Sequence, residues 1–206
     1  LGRVEGCMPT REQLPGETYR VGNRVRVYVL ELRDTGRVPQ IIVSQAHPEL
    51  VRELFELYVP EIEDGTVEIK SIAREAGYRT KIAVHSEDAD VDPVGACIGT
   101  RGVRIQNVVA ELRNEKIDVI RYSADPVDYI SNALSPARIT TVALYDDPEG
   151  GRRAEVIVPD DQLSLAIGRG GQNVRLAAKL TGWKIDIKSE SQSGGSYKAA
   201  TDTVAR

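Results

Sequence analysis

Aromatic residues are scarce in this chain. One Trp, one Phe and eight Tyr make up 5% of its 206 residues, too few for a protein that reads single strands by stacking successive bases on an open sheet, as RRM and cold-shock domains do. Cysteine is nearly absent too. Cys7 and Cys97 have no CxxC partner, which excludes a zinc ribbon or a disulfide framework, fits a reduced cytoplasmic setting and marks Cys97 as a small packing residue. The two histidines, His47 and His85, have no Cys, His or carboxylate at ligand spacing, so a capping or surface role is expected for each, with no metal and no cofactor. No run approaches the roughly 20 apolar residues that span a bilayer, and no signal peptide is visible; no membrane partner is expected. Nor is positive charge in excess, since 27 basic against 31 acidic residues leave a net charge of -4 and no global attraction to a polyanion.

What the sequence has instead is a repeat. Ile98-Gly99-Thr100-Arg101-Gly102 returns as Ile167-Gly168-Arg169-Gly170-Gly171, 69 positions on (168 minus 99). Closely spaced glycines let the backbone turn tightly and approach a ligand, while the helix that follows aims unpaired first-turn N–H groups at an anion. Two such loops in one context point to a nucleic-acid backbone and resemble the GXXG clamp of KH domains. Local charge agrees: from Ile98 to Ala110 the only charges are Arg101 and Arg104, and from Gln162 to Ile185 they are Arg169, Arg175, Lys179 and Lys184. The candidate RNA contacts are Gly99, Thr100, Arg101, Gly102 and Arg104 in the first copy and Gly168, Arg169, Gly170, Gly171, Asn173 and Arg175 in the second. Arg101 and Arg169, inside the loops, are expected to meet phosphate.

Enzyme readings fail on detail. A dinucleotide fingerprint at Gly168 needs a strand directly before it and a glycine where Asn173 stands, and no Gly-Lys-Ser/Thr follows either turn to make a P-loop. Asp92, Asp125, Asp160 and Asp161 read as helix caps rather than general acids, and Trp183 reads as a core residue. No catalytic residue is expected.

Each loop sits in the same plan. Ile105, Val108, Val109 and Leu112 form one buried helix face after the first loop, and Val174, Ala177, Ala178 and Thr181 take the same phase after the second. Lys116-Ile117-Asp118-Val119 is echoed by Lys184-Ile185-Asp186-Ile187. Upstream lie paired strands, through Val67, Ile69 and Ser71, then Ile82 and Val84, and again through Thr140, Val142 and Leu144, then Ala154, Val156 and Val158, with a turn at 146–151. A helix opens each unit, from Pro48 to about Tyr58 with Leu50, Leu54 and Leu57 inward, and from Pro126 to about Leu134. Helix, strand, strand, helix, helix, strand is the order of the type II KH fold. The first 45 or so residues differ: Val25, Val27 and Val29 alternate with polar neighbours, and Asp34-Thr35-Gly36 turns the chain into Gln40-Ile41-Ile42-Val43, a hairpin too small for a closed five-stranded barrel.

The stretch from Asp160 to Trp183, with Ile167-Gly168-Arg169-Gly170-Gly171-Gln172-Asn173 at its centre, resembles the second KH domain of the NusA family of bacterial transcription factors. Val91-Asp92-Pro93-Val94-Gly95-Ala96-Cys97-Ile98-Gly99 with Arg101-Gly102-Val103-Arg104 resembles the first KH domain, and residues 9–17 with Ser44-Gln45-Ala46-His47-Pro48-Glu49-Leu50 resemble the end of the S1 domain and its junction into that KH domain. The resemblance runs to about Ser189. It implies an α/β (α+β) chain with the C-terminal part of an S1 (OB-fold) domain at 1–46, KH domains at 47–122 and 123–189, and a flexible tail at 190–206. The chain begins with Leu and is expected to be a fragment. The resemblance also implies a cytoplasmic, monomeric, non-enzymatic protein that holds single-stranded nascent RNA and acts in pausing, termination and antitermination with RNA polymerase and other elongation and antitermination factors. The alternative class is a protein scaffold that docks polymerase or a ribosomal protein through its KH folds.

Overall fold

The computed structural model describes residues 5–33, 36, 39–147 and 150–194. Asp34 and Thr35 of the first expected turn, Pro148 and Glu149 of the second, and the tail from 195 onward lie outside them. Three three-stranded sheets follow one another along the chain. The first is made of β1 (Gly6–Cys7), β2 (Tyr28–Arg33) and β3 (Gln40–Ser44), in the order β1-β3-β2. Among the described residues it is an open three-stranded sheet and does not close into a barrel.

Two units of the expected order come next. The first runs α1 (Pro48–Tyr58), α2 (Pro60–Glu63), β4 (Glu68–Glu75), β5 (Arg79–His85), α3 (Pro93–Ile98), α4 (Val103–Glu111) and β6 (Lys116–Arg121). The second runs α5 (Pro126–Ala133), β7 (Thr141–Asp147), β8 (Gly151–Val158), α6 (Leu163–Ile167), α7 (Gln172–Thr181) and β9 (Lys184–Ser189). In both sheets the middle strand pairs antiparallel with the one before it and parallel with the last. The helix α1 has the predicted bounds because Pro48 presets its first turn and His47 Nδ1 accepts from the Glu49 N–H at 3.2 Å. Leu50 and Leu54 are buried as expected, but Leu57 is 55% exposed. It lies on a groove of about 580 Å³ with Val25, Val27 and Val29, because the strand expected from Val25 starts only at Tyr28.

Of the four aspartates read as caps, only Asp125 caps with its side chain, accepting from the Val127 N–H at 2.8 Å. The others find other partners. Asp92 accepts from Arg121 at 2.7 Å, Asp160 takes the Ser191 N–H and hydroxyl, and Asp161 pairs with Arg138.

The two units share a core. Alternation places Ile69 and Ser71 on one face, yet a bulge between them reverses this: Ile69 joins the helices of its own unit, while Ser71 and Ala73 turn toward the second unit. The helix α7 lies there. Ala73, Ala83 and Ile120 pack with Ile130, Leu176 and Leu180 in one cluster, so the buried line of α7 is Asn173, Leu176, Ala177 and Leu180 rather than Val174, Ala177, Ala178 and Thr181. A second apolar face was needed because α7 covers two sheets. Polar bonds fix the seam: Ser71 Oγ and Tyr129 OH lie 2.7 Å apart, each 3.1 Å from the Leu180 carbonyl, and buried Lys81 donates to Asp118 and to the Ser135 carbonyl at 2.9 Å.

Candidate nucleic-acid interface

Both glycine loops leave a short helix and enter a longer one through the same backbone. Gly99 and Gly168 have φ 73° and 77° with ψ 171° and 169°, a region essentially restricted to glycine. A Cβ would not fit either: on Gly99 it would stand 2.6 Å from Arg104 Cγ, and on Gly168 2.8 Å from Asn173 Cβ. The third loop residue is left-handed in both copies, Arg101 at φ 55° and Gly170 at φ 60°, and so is the fourth, Gly102 at 74° and Gly171 at 73°. The loop tips, Thr100 with Arg101 and Arg169 with Gly170, are exposed. Superposed by position, the basic charge sits third in the first loop and second in the other.

Neither α4 nor α7 is capped by a side chain, which leaves first-turn donors directed at whatever the loop holds. Four exposed tip residues, two of them Arg, in front of two uncapped helix starts make a surface suited to an extended anion such as a phosphate backbone.

The remaining candidate residues lie below or beside the tips. Arg104 Nη1 donates to Glu61 at 2.8 Å and to the Ala96 carbonyl at 2.7 Å. Asn173 is 2% exposed; its Nδ2 donates to the Leu134 and Ala166 carbonyls at 3.0 Å, and its Oδ1 is buried without a partner. Both side chains sit under the first glycine of their loop and hold it. Arg175, half-exposed, donates to Glu75 at 2.6 Å and to the Gly170 carbonyl at 3.1 Å, tying the second loop to the first unit. The hydrogen bond from Arg175 holds the Glu75 carboxyl below the usual carboxylate range, and Gln172 adds to it.

Reading charge alone missed the apolar neighbours. Ile98, Val103 and Leu165 flank the loops and are 38%, 58% and 44% exposed, out of phase with the buried helix faces, which is the signal that would have found them. Cys97, two residues before the first loop, is fully buried, and burial pushes its thiol up to about 12. Among the described residues no group of three His, Cys, Asp or Glu is placed to hold a metal ion, and no helix is long and apolar enough to cross a membrane.

Two helix–GXXG–helix units, each on a three-stranded sheet, define a tandem KH protein. The family described as NusA-like first KH domain matches residues 45–122, and the NusA-like second KH domain matches 126–194. The chain is 57% identical over 192 residues to the transcription termination/antitermination protein NusA of Halalkalibacterium halodurans, covering 93% of this chain and 50% of that protein. To the NusA of Bacillus subtilis it is 55% identical over 190 residues (92% and 50%), and to that of Thermus thermophilus 52% over 188 residues (91% and 48%). The chain belongs to the NusA family, and it spans about half the length of these relatives. In fold it is similar to the crystal structure of APE1850, with a TM-score of 0.52 at 24% identity, covering 68% of this chain and 97% of that one.

Proposed function

We propose that this chain holds single-stranded RNA across its two GXXG loops, as the RNA-binding part of a non-enzymatic, cytoplasmic transcription factor that acts with RNA polymerase and other elongation factors in pausing, termination and antitermination. The observation that carries the reading is the duplicated loop: two copies with different residues at the tip reach one backbone geometry, each with an exposed arginine there. A turn whose only task was to join helices would not need to repeat a glycine-only conformation. The names of the relatives, transcription termination/antitermination proteins, support the cellular role. A KH groove takes unpaired nucleotides with their base edges accessible, and the exposed Ile98, Val103 and Leu165 supply apolar walls for such bases.

The test is anisotropy with labelled RNA at several salt concentrations. Single-stranded RNA binds more tightly than blunt duplex, and with 3 or 4 phosphates neutralised, log K falls against log salt with a slope of about −2 to −3. Only residues 122–125 join the last strand of the first unit to the first helix of the second, so an RNA of about ten nucleotides binds far more tightly than a pentamer, its second contact being intramolecular. Equal affinity for duplex and single strand would overturn the reading.

A further inference from the structure

We propose that the cleft at the seam between the two KH domains is a further binding site, one that takes a single nucleotide with its base against aromatic rings and its phosphate toward two cations. The cleft has a volume of about 260 Å³ and is lined by Tyr122, Tyr129, Trp183, Lys70 and Arg152, among others. That is smaller than the roughly 300–1,000 Å³ of pockets for drug-sized ligands and fits one base with part of its sugar.

Rings are rare in this chain, yet three of the ten aromatic residues gather here. Tyr129 is the floor: it is 8% exposed and its hydroxyl is taken by Ser71 and Leu180. Tyr122 stands edge-on to it with centroids 5.0 Å apart. Tyr122 and Trp183 pack on the core but are only half-buried, which leaves part of each ring open to the cleft. The Arg152 guanidinium lies 5.7 Å from the centroid of the Trp183 ring, an arrangement that provides a cation beside a stacking face. Lys70, exposed and paired with Glu68, adds a second cation. The site is separate from the loops, since α7 from Gln172 to Lys179, about 12 Å of helix, lies between the second loop and Leu180, Thr181 and Trp183.

The nucleotide belongs either to bound RNA, in which case the site rests on the RNA-binding reading above, or to a free mononucleotide, in which case it does not. Trp183 is the only tryptophan, so its fluorescence reports on the cleft directly. The experiment titrates the chain with single-stranded RNA and, separately, with AMP, following Trp183 emission, with RNA binding measured in parallel by anisotropy. Saturable quenching is expected, weakened at least fivefold by Arg152→Glu and by Tyr122→Ala, each checked by a thermal melt. Quenching by RNA alone assigns the cleft to RNA, and quenching by AMP as well assigns it to mononucleotides. RNA binding by anisotropy with no quenching by either titrant overturns the cleft and leaves the loops standing; AMP quenching without RNA binding overturns the loops and leaves the cleft. Quenching unchanged in both variants also overturns the proposal.

Discussion

Arg101 holds, at φ 55° and ψ 23°, the left-handed conformation that Gly170 holds at φ 60° and ψ 25° in the other loop. A side chain in this region costs about 1–2 kcal/mol, partly offset because glycine loses about 0.5–1 kcal/mol more backbone entropy on folding. Arg101→Gly is therefore expected to leave the melting temperature unchanged or raised, while RNA affinity falls about tenfold for one lost charge-assisted contact. Undiminished affinity would show that Arg101 does not touch phosphate.

Thr100→Asp with Arg101→Asp, and Arg169→Asp alone, place negative charge at the exposed tips. Each is expected to weaken RNA binding at least tenfold with stability shifted by about 0.5 kcal/mol or less away from the strained position. Gly170 is left unchanged because its positive φ would strain any replacement. Arg20→Asp with Arg33→Asp, both ahead of the first KH unit, is the control, and anisotropy should show a smaller effect.

Because Ala73, Ala83 and Ile120 share a cluster with Leu176 and Leu180, the two KH units should unfold in one transition and tumble as one body in NMR relaxation. Leu180→Ala should destabilise both together by about 2–5 kcal/mol. Two separated calorimetric transitions in the unaltered chain would contradict the shared core.

The Glu75–Arg175 link carries a pH signature. The folded carboxyl is held below its ordinary value by the Arg175 hydrogen bond, so its contribution is complete above an unfolded value of about 4.3 and is lost as the pH falls through the depressed folded value. Urea melts between neutral and acidic pH should show a shallower acid loss for Glu75→Gln than for the unaltered chain.

Cys97 should be inert. With its thiol pushed up to about 12 by burial, it stays protonated at pH 8, and a thiol reagent should modify only Cys7, which is half-buried, until denaturant exposes the second sulfur.

The repeat, the element order and the loop tips were legible because each is written in neighbouring residues: glycines at fixed spacing, an apolar period along α4, Pro48 and Pro126 at helix starts. What escaped depends on contacts distant in sequence. The bulge that turns Ser71 away from Ile69 is set by pairing with β5. The fully buried Arg74–Glu115 pair, which ties the β4–β5 turn to the residue just before β6 and also reaches the His47 carbonyl, joins residues 41 positions apart (115 minus 74). Arg104 and Asn173 read as RNA contacts because they follow the loops closely, but only the approach of the first glycine shows that they point beneath it. Asp92, Asp160 and Asp161 had local cap positions and found remote partners.

The helix α7 has a consequence for how the duplication can be rearranged. The positions in α4 that correspond to Leu176 and Leu180 are Asn107 and Glu111, 69 residues earlier; Glu111 accepts instead from Tyr58 and Arg26. Exchanging the order of the two KH units would bring an amide and a carboxylate to the place in the seam that Leu176 and Leu180 now fill, and would leave Arg26 facing leucines instead of the carboxylate it now pairs with. Two copies of one motif have become a left and a right half, and neither can stand in for the other.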